Sequence, residues 1–192
     1  DLTGELQKRF EQKYYDLSSE GFRVLGVSYK KLREEKTVYS IRDETDMVFV
    51  GFVAFMDPPK ETARESLQLL SKSGVELKIL TGDNAVITRK ICHDVGLPVD
   101  EILLGPQIEE MSDEAFEKAL DTTSVYAKMT PQQKARVIEA LQRRGHVVGY
   151  MGDGINDGPG LKIADVSISV DSGADIAKET ADIILLEKSL LI

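Results

Sequence analysis

The stretch Val147-Val148-Gly149-Tyr150-Met151-Gly152-Asp153-Gly154-Ile155-Asn156-Asp157 constrains this chain more than any other. Its first five residues form an apolar run of strand length, and glycines flank the acid that follows. The segment therefore reads as a buried parallel strand running into a tight turn. Two carboxylates, Asp153 and Asp157, then stand at the strand's carboxyl end, where ligands bind in open α/β sheets. Carboxylates in that position suit Mg²⁺ beside a phosphate, because Mg²⁺ takes a few hard oxygen ligands and keeps several waters. Leu77-Lys78-Ile79-Leu80-Thr81-Gly82-Asp83 repeats the design: an apolar strand, a hydroxyl, a glycine and an acid. Two such strand ends in one domain imply a shared pocket.

Beyond Asp57-Pro58-Pro59 the pattern alternates regularly. Helices are expected over Glu61 to Ser73, ended by Gly74, and Asn84 to Val95, ended by Gly96. Others are expected over Pro131 to Arg144, with proline in the first turn, Asp157 to Ala164, and Gly173 to Ala181. Strands are expected at Val75 to Leu80, Ser124 to Lys128, Val166 to Val170 and Asp182 to Leu186, besides the central one. The acidic stretch Asp100 to Asp121 is less regular and holds a short helix capped by Ser112. Strands separated by helices of this length make right-handed crossovers, so the class is α/β with a doubly wound parallel sheet of Rossmann-like build.

The residues before the prolines differ. Leu6, Phe10, Tyr14 and Leu17 recur at helical spacing between Glu5 and Glu20, with Asp1 or Thr3 to cap the start. Phe22 to Tyr29 and Met47 to Phe55 read as paired strands joined by the mixed-charge connection Lys30 to Asp46. Residues 1–56 thus form a small α+β piece, and the prolines stiffen a hinge to a second domain, residues 57–192.

Composition narrows the function. The chain has 192 residues, 42% apolar and 30% charged, which suits a folded core rather than disorder. A net charge of −9 argues against wrapping nucleic acid or lying on an anionic membrane. An anionic substrate therefore needs local help from Lys, Arg or a metal ion. Cys92, the single cysteine, sits in an expected helix and reads as a small packed apolar residue. The longest nearly uncharged run, Met47 to Met56, is far short of the roughly twenty residues that span a bilayer. A start at Asp1 rather than a methionine is what an excised piece of a longer protein would show.

Each motif has a bland account. Gly-Asp-Gly and Asn-Asp are common turn pairs, Thr81-Gly82-Asp83 links a strand to a helix, and Lys134 in the first turns of its helix is by default a solvated charge. Their order and spacing argue for more.

Asp57-Pro58-Pro59-Lys60, Thr81-Gly82-Asp83, Thr130-Pro131-x-x-Lys134 and Gly152-Asp153-Gly154-Ile155-Asn156-Asp157 together resemble the successive signatures of the P-type ATPases. These are cation pumps whose phosphorylation domain is haloacid-dehalogenase-like. The segment from Ile168-Ser169-Val170-Asp171 through Ala181 to Leu190 resembles the magnesium-importing branch.

The resemblance implies ATP as substrate, Mg²⁺ as cofactor, and a place on the cytoplasmic face of the cell membrane. It makes Asp153 a Mg²⁺ ligand, with Asn156 and Asp157 holding the loop and the phosphoryl group's surroundings, Asp157 counted with the metal. Thr81 would donate its hydroxyl to a phosphoryl oxygen beside the Gly82 amide, and Asp83 would lie near the nucleotide or metal. Lys134 would neutralise phosphoryl charge. Arg23, in Gly21-Phe22-Arg23-Val24-Leu25, matches an arginine that reaches the ATP phosphates, and Asp57 would meet the ribose or phosphates at the hinge. Residues 1–56 would be the end of the nucleotide-binding domain.

Three departures stand out. Glycines at 158 and 160 replace the family's usual alanines, which weakens the helix start by roughly 1 kcal/mol each. Lys128 stands where many members have arginine. The nucleophile motif Asp-Lys-Thr-Gly-Thr is missing, since Asp1-Leu2-Thr3-Gly4-Glu5 has no strand before it and reads as a cap. The nucleophile segment, the actuator domain and the transmembrane helices would be partners within the same pump, and the sheet would keep unpaired edges beside the pocket. The alternatives are a non-catalytic nucleotide- or phosphate-binding regulatory module and a soluble haloacid-dehalogenase-like phosphatase.

Overall fold

The computed structural model describes residues 4–32, 37–56, 58–187, 189 and 191, divided into two units at Pro58/Pro59. Asp1 and Thr3, read as caps, and Asp57, read as a nucleotide contact, lie outside the described residues.

In the first unit, helix α1 (Gly4–Ser19) precedes strand β1 (Phe22–Tyr29), and β2 (Val48–Met56) pairs antiparallel with β1. The expected helical stripe carries this packing: Phe10 lies 4.7 Å, centroid to centroid, from Phe49 and 6.3 Å from Phe52, with Tyr14 beside Phe52. A short 3₁₀ turn, Ile41–Asp43, interrupts the connection between the strands.

The second unit alternates as its sequence pattern requires. Its elements are α2 (Ala63–Lys72), β3 (Ile79–Leu80), α3 (Ala85–Asp94), β4 (Ile102–Leu104), α4 (Gly105–Glu110), α5 (Asp113–Thr122), β5 (Val125–Ala127) and α6 (Pro131–Arg143). They continue with β6 (Gly149–Met151), α7 (Gly158–Ile163), β7 (Val166–Val170), α8 (Asp175–Thr180) and β8 (Ile183–Leu185). All strand pairs in this unit are parallel, in two three-stranded ladders of order β3-β5-β4 and β6-β7-β8. Among the described residues, β3 and β6 are each paired on one side only.

Helix α6 joins the two cores. Its Val137 and Ala140 pack with Leu103, Phe116 and Tyr126 against the first ladder, while Ile138 packs with Tyr150 and Leu161 against the second. Gly74 and Gly96 follow α2 and α3 with φ of +79° and +75°, the left-handed C-terminal conformation expected of them. Asn84 caps α3 and Ser112 caps α5. Cys92 is buried in α3, where desolvation pushes its thiol up.

Two strands are shorter than their apolar runs suggest. Among the described residues no strand pairs with residues 75–78, since β5 begins only at Val125, and the Lys78 ammonium reaches the carbonyls of Leu120 and Thr123. Val147 is exposed, and the Val148 amide is taken by Asp165 before the ladder starts. In the acidic stretch, β4 and α4 precede the expected helix. No helix among the described residues is long and apolar enough to cross a membrane.

Candidate active site

Helix α6 is fixed at its first turn. Thr130 Oγ1 accepts from the Gln133 amide at 3.2 Å, and Gln133 Oε1 accepts from the Thr130 amide at 2.8 Å, a reciprocal capping box. Gln133 Nε2, on the side chain, also donates to Gly105 O and Glu109 Oε1. A Cβ on Gly105 would collide with Gln133 Oε1 and the Lys128 carbonyl, so only glycine fits there. Lys134 follows one residue after this anchor.

Lys134 is not the solvated charge its position suggests: it is 8% exposed. Its Nζ donates to Asp157 Oδ1 at 2.6 Å, and the same oxygen accepts from Tyr150 Oη at 2.9 Å. Asp157 Oδ2 accepts from the Gly154 amide at 3.1 Å, and the side chain lies against Gly152, where any Cβ would collide with it. Burial works to raise the Asp157 carboxyl, but Lys134, the Gly154 amide and the Tyr150 hydroxyl outweigh it and hold the group below its usual range. Desolvation and the neighbouring Asp157 charge push the Tyr150 phenol far up, so it remains a donor.

Asp153, four residues earlier, has the opposite environment. Its side chain is exposed, while its carbonyl is held by the Ala174 amide at 2.8 Å and the adjacent Gly152 amide donates to Ile168 O at 3.1 Å. The loop is thus pinned by backbone to β7 and the start of α8, leaving its carboxylate to solvent. Asn156 is exposed on the 3₁₀ turn Ile155–Asp157.

Thr81 leaves β3 with its amide on Tyr126 O at 3.0 Å and its carbonyl accepting from Met129 at 3.0 Å, next to the Thr130 cap. Its Oγ1 accepts from the Asp83 amide at 3.1 Å and lies 3.3 Å from Asp83 Oδ2. Gly82 is exposed, and the Asp83 carbonyl accepts from the Lys128 amide at 2.7 Å, which holds Lys128 at φ +52°. A continuous run of contacts therefore leads from Thr81 through Met129 and the α6 cap to Lys134 and Asp157. Arg23 lies on β1 in the first unit.

The donor set suits Mg²⁺ of one kind only. Among the described residues no group of three His, Cys, Asp or Glu side chains could enclose a metal ion. A single exposed carboxylate, four residues before the Asp157 that Lys134 holds, matches an ion that keeps its waters and shares a substrate's oxygens. Asp153 fits that role. Asp157 is engaged by three donors and is positioned as the partner of Lys134.

The motifs gave Tyr150 no role, and Gly160 read only as a weakened helix start. The available signal was a hydroxyl-bearing ring in an otherwise aliphatic strand, which at that depth must find a partner.

A parallel α/β unit whose acidic loop meets a buried lysine is the arrangement of the haloacid dehalogenase-like hydrolases. The sequence model of that family matches residues 4–165, and the chain belongs to it. Within it, the chain is similar to the "Magnesium-transporting ATPase, P-type 1" of Escherichia coli K12, 48% identical over 176 residues that cover 92% of this chain and 20% of that protein. A protein of the same description in Salmonella typhimurium LT2 is 45% identical over 191 residues, 100% of this chain and 21% of that one. A "Calcium-transporting ATPase" of Listeria monocytogenes is 34% identical over 192 residues, 99% and 22%. The resemblance to P-type ATPases carried by the four motifs therefore holds, and the chain spans about a fifth of the length of the curated relatives it matches.

Proposed function

We propose that this chain is a cytoplasmic part of a P-type ATPase that moves Mg²⁺, with residues 1–56 ending the nucleotide-binding domain and residues 57–192 forming most of the phosphorylation domain. In this reading an aspartate on a segment outside the chain attacks the γ-phosphorus of ATP and ADP leaves. Water then hydrolyses the aspartyl-phosphate, and the two steps are coupled to cation movement. The one-sided pairing of β3 and β6 supports a strand from that segment as their partner.

The observation that carries the reading is the buried Lys134–Asp157 pair, whose aspartate ends the same short loop that exposes Asp153 four residues earlier. Lys134 has three N–H donors and spends one on Asp157, so the others can meet phosphoryl oxygens. A fixed cation suits a phosphoryl transition state that spreads charge over its equatorial oxygens. Thr81 and the Gly82 amide supply neutral donors, and Asp83 lies beside them. Asp153 would hold Mg²⁺, which when bound neutralises phosphoryl charge. Asn156 and Asp157 would keep the loop in place, while Arg23 and Asp57 would meet the nucleotide.

The test is made on the full-length protein. Asp153→Asn should remove Mg²⁺-dependent ATP hydrolysis, and retained turnover would sink the assignment. The 192-residue chain alone should show no sustained ATP hydrolysis; steady turnover abolished by Asp153→Ala would overturn the reading of it as an accessory half-site.

A further inference from the structure

The strand before the acidic loop is aliphatic except for Tyr150, which is 8% exposed and belongs to the core with Ile138, Leu161 and Ala177. A phenylalanine would fill the same space. The hydroxyl is therefore the informative atom, and at that depth it must find an acceptor. The acceptor is Asp157 Oδ1, the oxygen that also receives Lys134. The ring reaches that oxygen by crossing α7 at Gly160. A Cβ there would lie 2.8 Å from Tyr150 Cε1, closer than packed carbons come, and 3.0 Å from Cζ and 3.1 Å from Ile138 Cδ1, so the ring would have to move.

We propose that Tyr150 is a positioning residue for Lys134, acting through Asp157, and that Gly160 is its matched partner, present so that the ring can reach the carboxylate. Two rigid donors on different oxygens, the Tyr150 hydroxyl and the Gly154 amide, define the plane of the Asp157 carboxylate. Lys134 cannot do this, because its ammonium ends a flexible four-carbon stem. With the hydroxyl gone, the carboxylate keeps one rigid anchor and can turn, and the ammonium follows it. The proposal deepens the reading of Lys134 as the phosphoryl-neutralising group and rests on it for its functional meaning.

Competitive amine labelling of the 192-residue chain with acetic anhydride, read by mass spectrometry, tests it without any turnover. Lys78 is the internal reference: its side chain is 11% exposed against 10% for Lys134, it lies in the same unit, and the Leu120 and Thr123 carbonyls and the Glu76 carboxylate hold it without any contact to Asp157 or Tyr150. Tyr150→Phe should raise the Lys134-to-Lys78 labelling ratio at least threefold. Gly160→Ala, which displaces the ring while leaving the hydroxyl on the chain, should raise it likewise. A purely structural role would loosen both lysines together and leave the ratio unchanged. An unchanged ratio in Tyr150→Phe, or a rise there that Gly160→Ala does not reproduce, overturns the proposal. Adding Mg²⁺ with inorganic phosphate to the unsubstituted chain tests the underlying reading separately: protection of Lys134 supports its phosphoryl role. Absence of protection counts against that role and leaves the Tyr150 result to stand or fall alone.

Discussion

Lys134 Nζ lies 2.6 Å from Asp157 Oδ1, with 10% of one side chain and 12% of the other exposed. A pair buried to that degree contributes little net stability when intact, yet removing one partner strands the other charge. Lys134→Met should destabilise the second unit by about 3 kcal/mol, the low end of the usual 3–5, because Tyr150 and the Gly154 amide still solvate the carboxylate. Asp157→Asn added to Lys134→Met should recover at least about 1 kcal/mol by removing the stranded charge. Amide hydrogen exchange of β5 and α6 measures both differences. A double variant no more stable than the single would contradict the account.

Asp153 should behave in the opposite way. Its side chain is exposed, and the loop is held by its backbone, so Asp153→Asn should change stability by less than about 0.5 kcal/mol. The same substitution should abolish Mg²⁺-induced shifts of the Gly152 and Gly154 amide signals in a titration followed by NMR. Shifts that survive it would move the metal site elsewhere.

What the residues revealed in advance depended on how local the governing physics is. Strands Phe22–Tyr29 and Val166–Val170 match their expected limits, because each pairs along its full length. The Ser112 cap was legible because the hydrogen bond it makes spans only three residues. The strand Ile102–Leu104 was hidden inside an acidic stretch, since three apolar residues carry no period of their own and need β5 beside them. The burial of Lys134 was likewise invisible: it depends on Asp157, 23 residues away, and on the meeting of α6 with the acidic loop. Thr81, Lys134 and Asp157 were identified by motif, but the roles of Tyr150 and Gly160 exist only in the packed structure.

The two glycines that follow the acidic loop should respond differently to alanine. Gly158 begins α7 with helical φ and ψ of −49°, and a Cβ there meets nothing within 4 Å. Gly158→Ala should stabilise the second unit by about 0.5–1 kcal/mol through lost unfolded-state entropy. Gly160→Ala should destabilise it by about 1–3 kcal/mol, because the methyl meets the Tyr150 ring and Ile138. Replacing Tyr150 by leucine in the Gly160→Ala background should remove the excess cost, as the colliding Cε1 and Cζ atoms are then absent. Additive losses in that double variant, measured by thermal unfolding, would show that the ring is not what Gly160 accommodates.

Acid should weaken the second ladder. Asp182 Oδ2 accepts from the Ser167 amide at 2.9 Å and from Ser167 Oγ at 2.8 Å, and Asp165 Oδ2 accepts from the Val148 amide at 2.8 Å. These backbone amides, with the Ser167 hydroxyl, hold both carboxyls below the ordinary 3.8. A carboxyl depressed in the folded state contributes stability that is complete above its unfolded value and is lost as pH falls through its folded one. The second unit should therefore keep its stability down to roughly pH 5 and lose it progressively from about pH 4 downward. Asp182→Asn should lower the unfolding temperature at pH 7 and flatten the acid limb, because the amide cannot be protonated in that range. The readout is a series of thermal melts between neutral and acid pH on both chains; parallel curves would mean that Asp182 does not carry the dependence. Since the Gly152 amide is held by Ile168 of the same ladder, protection of that amide from exchange should fall with pH alongside the melt, reporting the loop that carries Asp153.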